Sequence, residues 1–198
     1  MIIGITGGIG SGKSTIAKQL RDMGYMVYDT DSEAKRLIVE DTHVRQQIEQ
    51  LFGSEVYKDG VYQTALVAQR VFADHSLLAK LNAIVHPAVK ADIMNRMSRL
   101  ASRESQVGNH KNLFFIECAI LYQAGFDTLC DKVVAVTAPE EIRLARAVAR
   151  DHSTIEKVRA RIHAQEAEKD VKRADIVINN DGQTPILTLC EEILQFIQ

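Results

Sequence analysis

Apolar residues gather in short runs of strand length at 2–6, 25–28, 113–116, 133–137 and 176–178, with helical stretches between them. Runs of this kind suit strands buried on both faces. Their alternation with helices predicts a parallel sheet covered on both sides. The helices show in their spacing: Val89, Ile93, Met97 and Leu100 make one stripe, and Ile186, Cys190, Ile193 and Ile197 make another. Between about 31 and 103 the rhythm changes, because helical patterns follow one another with no buried strand among them. That segment reads as a helical insertion ending in a polar loop over 102–112.

Directly after the first run comes Gly7-Gly8-Ile9-Gly10-Ser11-Gly12-Lys13-Ser14, a full GxxxxGK[ST] match, followed at once by a helix with Ile16, Leu20 and Met23 on one side. Glycines let successive N–H groups turn inward toward a polyphosphate, and the new helix adds its positive end. Lys13 is placed to meet β- and γ-phosphates and Ser14 to give its hydroxyl to Mg²⁺. The alternative is a glycine-rich turn that only starts a helix.

Composition narrows the picture. In 198 residues, 46% are hydrophobic and 25% charged, with a net charge of −2, which suits one soluble chain with modest insertions. No overall positive field exists to hold nucleic acid. Cys118, Cys130 and Cys190 are widely spaced and form no CxxC pair, as expected of a reduced, cytoplasmic protein. No apolar run approaches the ~20 residues that span a bilayer, so no membrane association is expected.

A switch GTPase is disfavoured, since the chain has no Asn-Lys pair and no Asp followed three positions later by Gly. A kinase needs a group that activates an acceptor hydroxyl and mobile positive charge over the phosphates. Tyr28-Asp29-Thr30-Asp31 ends the second run, where open α/β sheets bind ligands. Asp31 is the candidate base, with Asp29 in a supporting or magnesium-linked role; alternatively Asp31 caps the helix beginning Ser32-Glu33. Glu117 ends the apolar strand Leu113-Phe114-Phe115-Ile116, where it serves either a magnesium-linked water or a structural ion pair.

From 143 to 173 there are nine Lys or Arg against five Asp or Glu, with Arg143, Arg146 and Arg150 near one helical face. This is either a solvated face or a lid whose Arg146 and Arg150 reach phosphate. His86-Pro87 reads as the first turn of the helix carrying Val89 and Ile93. Tyr57, Tyr62 and Phe72 read as packing groups, and most other histidines as surface residues.

In chain order, the loop at 4–14, the Asp31 segment, Asp59-Gly60, Ile84-Val85-His86-Pro87, Arg146 with Arg150-Asp151, Gln165 and Ala174-Asp175-Ile176-Val177-Ile178-Asn179-Asn180 resemble the dephospho-CoA kinase family over essentially the whole chain. The resemblance implies a three-layer α/β/α P-loop fold with a mainly parallel five-stranded sheet. The core would take about 1–30, 112–142 and 174–198, a helical substrate-binding insertion about 31–111, and a helical lid about 143–173. It implies ATP and dephospho-CoA as substrates and Mg²⁺ as cofactor. Asp31 matches the family's catalytic aspartate, acting with Lys13 and Arg146. Gly8, Ile9, Gly10, Ser11, Gly12, Lys13, Ser14, Thr15, Arg150 and Asn180 fall in ATP-binding positions. Lys35 and His86 fall in the substrate region, and Ser14 and Glu117 are the candidate metal-linked groups. The chain departs from the pattern at Tyr62 and Thr64, where the family often has Leu and Arg, and at Gln123, where it often has Glu. Two other readings are a different P-loop metabolite kinase and a nucleotide-binding regulator that transfers no phosphate.

Overall fold

β1 (Ile2–Gly7) lies at the centre of a five-stranded parallel sheet, flanked by β5 (Phe114–Glu117) and β6 (Lys132–Thr137), with β2 (Met26–Asp29) and β7 (Ile176–Asn179) at the edges. The computed structural model describes residues 1–104, 113–165 and 170–197. It divides into two compact units, residues 1–29 with 110–198 and residues 30–109.

In the first unit the five expected runs all become strands. Ile3, Ile5, Phe115, Val134, Val136 and Ile178 are buried between helix layers. Ile16 and Leu20 of α1 (Lys13–Asp22) pack on one part of this core, and Leu189, Cys190, Ile193 and Ile197 of α8 (Ile186–Ile197) on another. The Tyr25 ring meets Phe115 edge-on with centroids 5.5 Å apart. α6 (Glu140–Asp151) and α7 (Ile155–Ala164) belong to this unit too, joined through Ala147, Val158 and Ile162, against which Ile9 packs.

The second unit is mainly helical: α2 (Thr30–Glu40), α3 (Thr42–Phe52), α4 (Thr64–Ala73) and α5 (Ser76–Glu104). Asp41 caps α3 by accepting from the His43 and Val44 N–H groups at 2.9 and 3.0 Å. A short hairpin, β3 (Tyr57–Lys58) and β4 (Val61–Tyr62), interrupts the helices. Asp59 and Gly60 both have positive φ, the turn geometry that matches hairpin twist. Two-residue strands are too short to leave a period-two signal, so the pattern missed them.

Three expectations are corrected here. The helix carrying Val89 and Ile93 begins at Ser76, not at His86-Pro87, so Pro87 lies inside it. Flanking helix formers and buried Val85, Val89 and Ile93 outweigh the one N–H that proline cannot donate. The helix also continues to Glu104, and residues 105–112 of the expected polar loop, with His110, lie outside the described residues. Phe72 is 83% exposed and is not a packing group, whereas Tyr57 is buried.

Candidate active site

The chain turns out of β1 at Gly7 and enters α1 at Gly12, and this turn depends on glycine. Gly10 and Gly12 have φ of +77° and +91°, and a Cβ at either would strike the Arg143 carbonyl or the Asn180 amide, respectively. Gly12 brings no side chain to cap α1, which leaves the positive end of that helix to an anion.

Lys13 and Ser14, the first residues of α1, converge on one carboxylate. Lys13 Nζ lies 3.6 Å from Glu117 Oε1, and the Ser14 hydroxyl donates to that same oxygen at 3.3 Å. Glu117 pairs in register with Asp29 at the carboxyl end of β2. Burial pushes the Glu117 carboxyl above its ordinary range and the Asp29 charge adds to this, while Lys13 and the Ser14 hydrogen bond oppose it. The site therefore offers a hydroxyl and two carboxylates, the hard oxygen donors that suit Mg²⁺ when substrate phosphates complete its shell. The groups present fit that ion.

Beside the loop, a cavity of about 350 Å³ is lined by Gly8, Ser11, Thr137 and Arg143 among others. Ser11 Oγ is buried there with no hydrogen-bond partner among the described residues. A buried hydroxyl left without a partner is costly unless a ligand meets it.

The arginines divide differently from their spacing. Arg146 donates to the Ser11 carbonyl at 3.4 Å, the Asn180 carbonyl at 3.1 Å and Asn180 Oδ1 at 3.3 Å. Buried Asn180 in turn donates to the Ser11 carbonyl at 2.9 Å. Arg143, one turn earlier on the same helix, donates to the Ile9 carbonyl at 2.9 Å. The Ile9 N–H is given to Gln165 Oε1 at 2.7 Å. The loop is thus gripped from outside by Arg143, Arg146, Gln165 and Asn180. Arg150 is not part of this grip: with Arg161 it binds Asp151 at 2.6 and 2.7 Å, holding that carboxyl far below the usual range. The i, i+3 spacing of Arg143 and Arg146 is the one local signal that could have found the pair.

In the second unit, Asp31 sits in the first turn of α2. The helix starts at Thr30, so Asp31 is not its cap. Asp31 Oδ2 accepts from Lys35 Nζ at 2.6 Å, and both residues line a second cavity, of about 570 Å³. His86 is half-buried on α5, and burial lowers its imidazole from the ordinary range. Gln123 donates to the buried carboxylate of Asp170.

Strand order, glycine turn and converging polar groups define a protein of the P-loop nucleotide-binding class. Its place within that class comes from comparison. A family model described as dephospho-CoA kinase matches residues 1–185, and the chain belongs to that family. The dephospho-CoA kinase of Porphyromonas gingivalis is 43% identical over 172 residues, covering 87% of this chain and 81% of the relative. A crystal structure of a Thermus thermophilus protein superposes with a TM-score of 0.80 at 35% identity, covering 100% of this chain and 95% of the other. The solved dephospho-CoA kinase of Campylobacter jejuni shares the fold at a TM-score of 0.68 and 24% identity, covering 99% and 96% of the two chains. Among the described residues, no helix is long and apolar enough to cross a membrane.

Proposed function

We propose that this protein transfers the γ-phosphoryl group of ATP to the ribose 3′-hydroxyl of dephospho-CoA, giving coenzyme A and ADP, in the cytoplasm. The reading rests on one observation above the rest: Lys13 and Ser14 meet at Glu117 under a glycine turn, in a chain matched by the family from 1 to 185.

The 8–15 loop binds the triphosphate through N–H groups other than those of Ile9, Ser11 and Thr15, which are bonded within the protein, and Lys13 swings from Glu117 onto its β- and γ-oxygens. Arg143, Arg146 and Asn180 keep the loop carbonyls turned outward, so the amide dipoles stay aimed at the anion. Ser14, Glu117 and Asp29 would hold a magnesium ion, which when bound supplies positive charge against the leaving oxygens. Asp31 accepts the proton of the acceptor hydroxyl at a carboxylate oxygen. Its exposed pairing with Lys35 is of the kind worth under about 1 kcal/mol, so an incoming hydroxyl displaces it readily. Lys35 and His86 take the substrate side, and Arg150 is released from Asp151 to meet phosphate. Positioning and electrostatics carry the reaction.

The test is the purified protein with ATP, Mg²⁺ and a panel of acceptors: dephospho-CoA, nucleosides, nucleotides and shikimate. Coenzyme A formation far above turnover of any other acceptor is expected. Efficient transfer to shikimate or a nucleotide, with none to dephospho-CoA, would overturn the reading.

A further inference from the structure

The second cavity carries more than a place for Asp31. One wall is a face of α2, running from Asp31 through Lys35 and Ile38 to Val39, and the other is the hairpin with Val61 and Tyr62. At about 570 Å³ it falls within the usual size of small-molecule sites. Val39 and Val61 line it while remaining 45% and 62% exposed, an apolar surface with water as its neighbour. The aromatic wall is held rigidly. The Tyr62 ring lies 5.2 Å from that of Tyr57, the Tyr57 hydroxyl donates to the Ile38 carbonyl at 2.7 Å, and the Arg45 guanidinium sits over the Tyr57 ring. A surface ordered in advance loses little entropy when a ligand arrives.

We propose that this cavity takes the purine base of the acceptor, with Tyr62 as its stacking wall and Val39 and Val61 at its margins. The inference rests on the reading that Asp31 receives the acceptor hydroxyl, and it is decided by reach and charge. Eight residues of helix separate Asp31 from Val39, about 12 Å. The base is attached to the same five-membered ring as the reacting hydroxyl, so it lies within that span. The pantetheine arm is joined only through a diphosphate, and the residues lining this cavity offer it a single cation, Lys35, whose side chain reaches back toward Asp31 rather than along Val39 and Val61. Drawing a diphosphate along an apolar wall without counter-charge is unfavourable, so the arm stays outside.

The experiment compares wild type, Tyr62→Ala and Tyr62→Phe. Loss of one stacking ring costs roughly tenfold in binding. With dephospho-CoA, Tyr62→Ala is expected to raise KM about tenfold, with the loss on KM rather than kcat, and Tyr62→Phe to restore it. Adenosine, which keeps base and ribose but lacks the arm, should weaken as a competitor of dephospho-CoA by the same factor. With an abasic dephospho-CoA, carrying hydrogen in place of adenine, wild type and Tyr62→Ala should share one KM. A penalty that persists on the abasic acceptor overturns the proposal. So does an adenosine inhibition constant indifferent to the substitution, which would give the cavity to the arm. If Asp31→Asn keeps wild-type kcat while the Tyr62 results hold, the base site stands and the role of Asp31 falls.

Discussion

Lys13 is held 3.6 Å from the buried carboxylate of Glu117, so the phosphate-binding cation has a counter-charge behind it before any nucleotide arrives. The pair makes Glu117→Gln informative. Turnover should fall roughly 10- to 100-fold, the usual cost of losing a carboxylate that supports a metal-linked site. Stability should move with pH in a stated direction. A carboxyl raised on folding contributes stability that is fully present below its unfolded pKa and is lost as pH rises through the folded one. Relative to wild type, Glu117→Gln should therefore gain in Tm between pH 4 and pH 7. Calorimetry at the two pH values checks this, and a relative loss would contradict the burial argument.

Gly12 and Gly24 share positive φ, at +91° and +88°, yet differ in surroundings. A Cβ at Gly24 meets nothing within 4 Å, whereas one at Gly12 strikes the Asn180 amide. Gly24→Ala should cost only the left-handed backbone penalty, about 1–2 kcal/mol, or a few degrees of Tm, with ATP binding retained. Gly12→Ala should cost more and abolish ATP binding. Thermal melts with and without ATP distinguish them.

Arg146 acts on the loop through carbonyls, so Arg146→Ala should raise KM for ATP at least tenfold, a loss in line with hydrogen bonds from a charged donor. Lysine should not rescue it, because one ammonium cannot span the Ser11 and Asn180 carbonyls together. Asn180→Ala should reproduce most of the loss, and the double variant should be less than additive. Steady-state kinetics on the four proteins provides the check.

Asp31→Asn keeps the size of the side chain and removes its basicity. Its expected signature is a kcat at least 100-fold lower, with KM for ATP within about twofold of wild type, the range that general-base removal produces. Single-turnover transfer measured with saturating ATP is the direct assay. A wild-type rate would refute the assigned role.

What neighbouring residues impose on one another was readable in advance. The strand runs, the Gly10-to-Ser14 turn, the α1 stripe of Ile16 and Leu20 and the acids closing β2 and β5 all follow from local periodicity, backbone freedom and chain order. Local rules also erred where tertiary packing overrode them, as at Pro87 inside α5 and at Phe72 in solvent. Other features exist only once distant segments meet. Arg146 and Asn180 reach the loop from more than 130 positions away in the chain, and no spacing rule connects groups so far apart. Arg150 and Arg146 share a helix and a charge, but Arg150 turns to its sequence neighbour Asp151, whereas only packing brings Arg146 to the Ser11 carbonyl. The same holds for the cavity beside Asp31, whose walls come from α2 and from strands of two residues each. Hydrogen bonds and burial between remote segments are properties of the folded chain, and their geometry is decided only when the whole core closes.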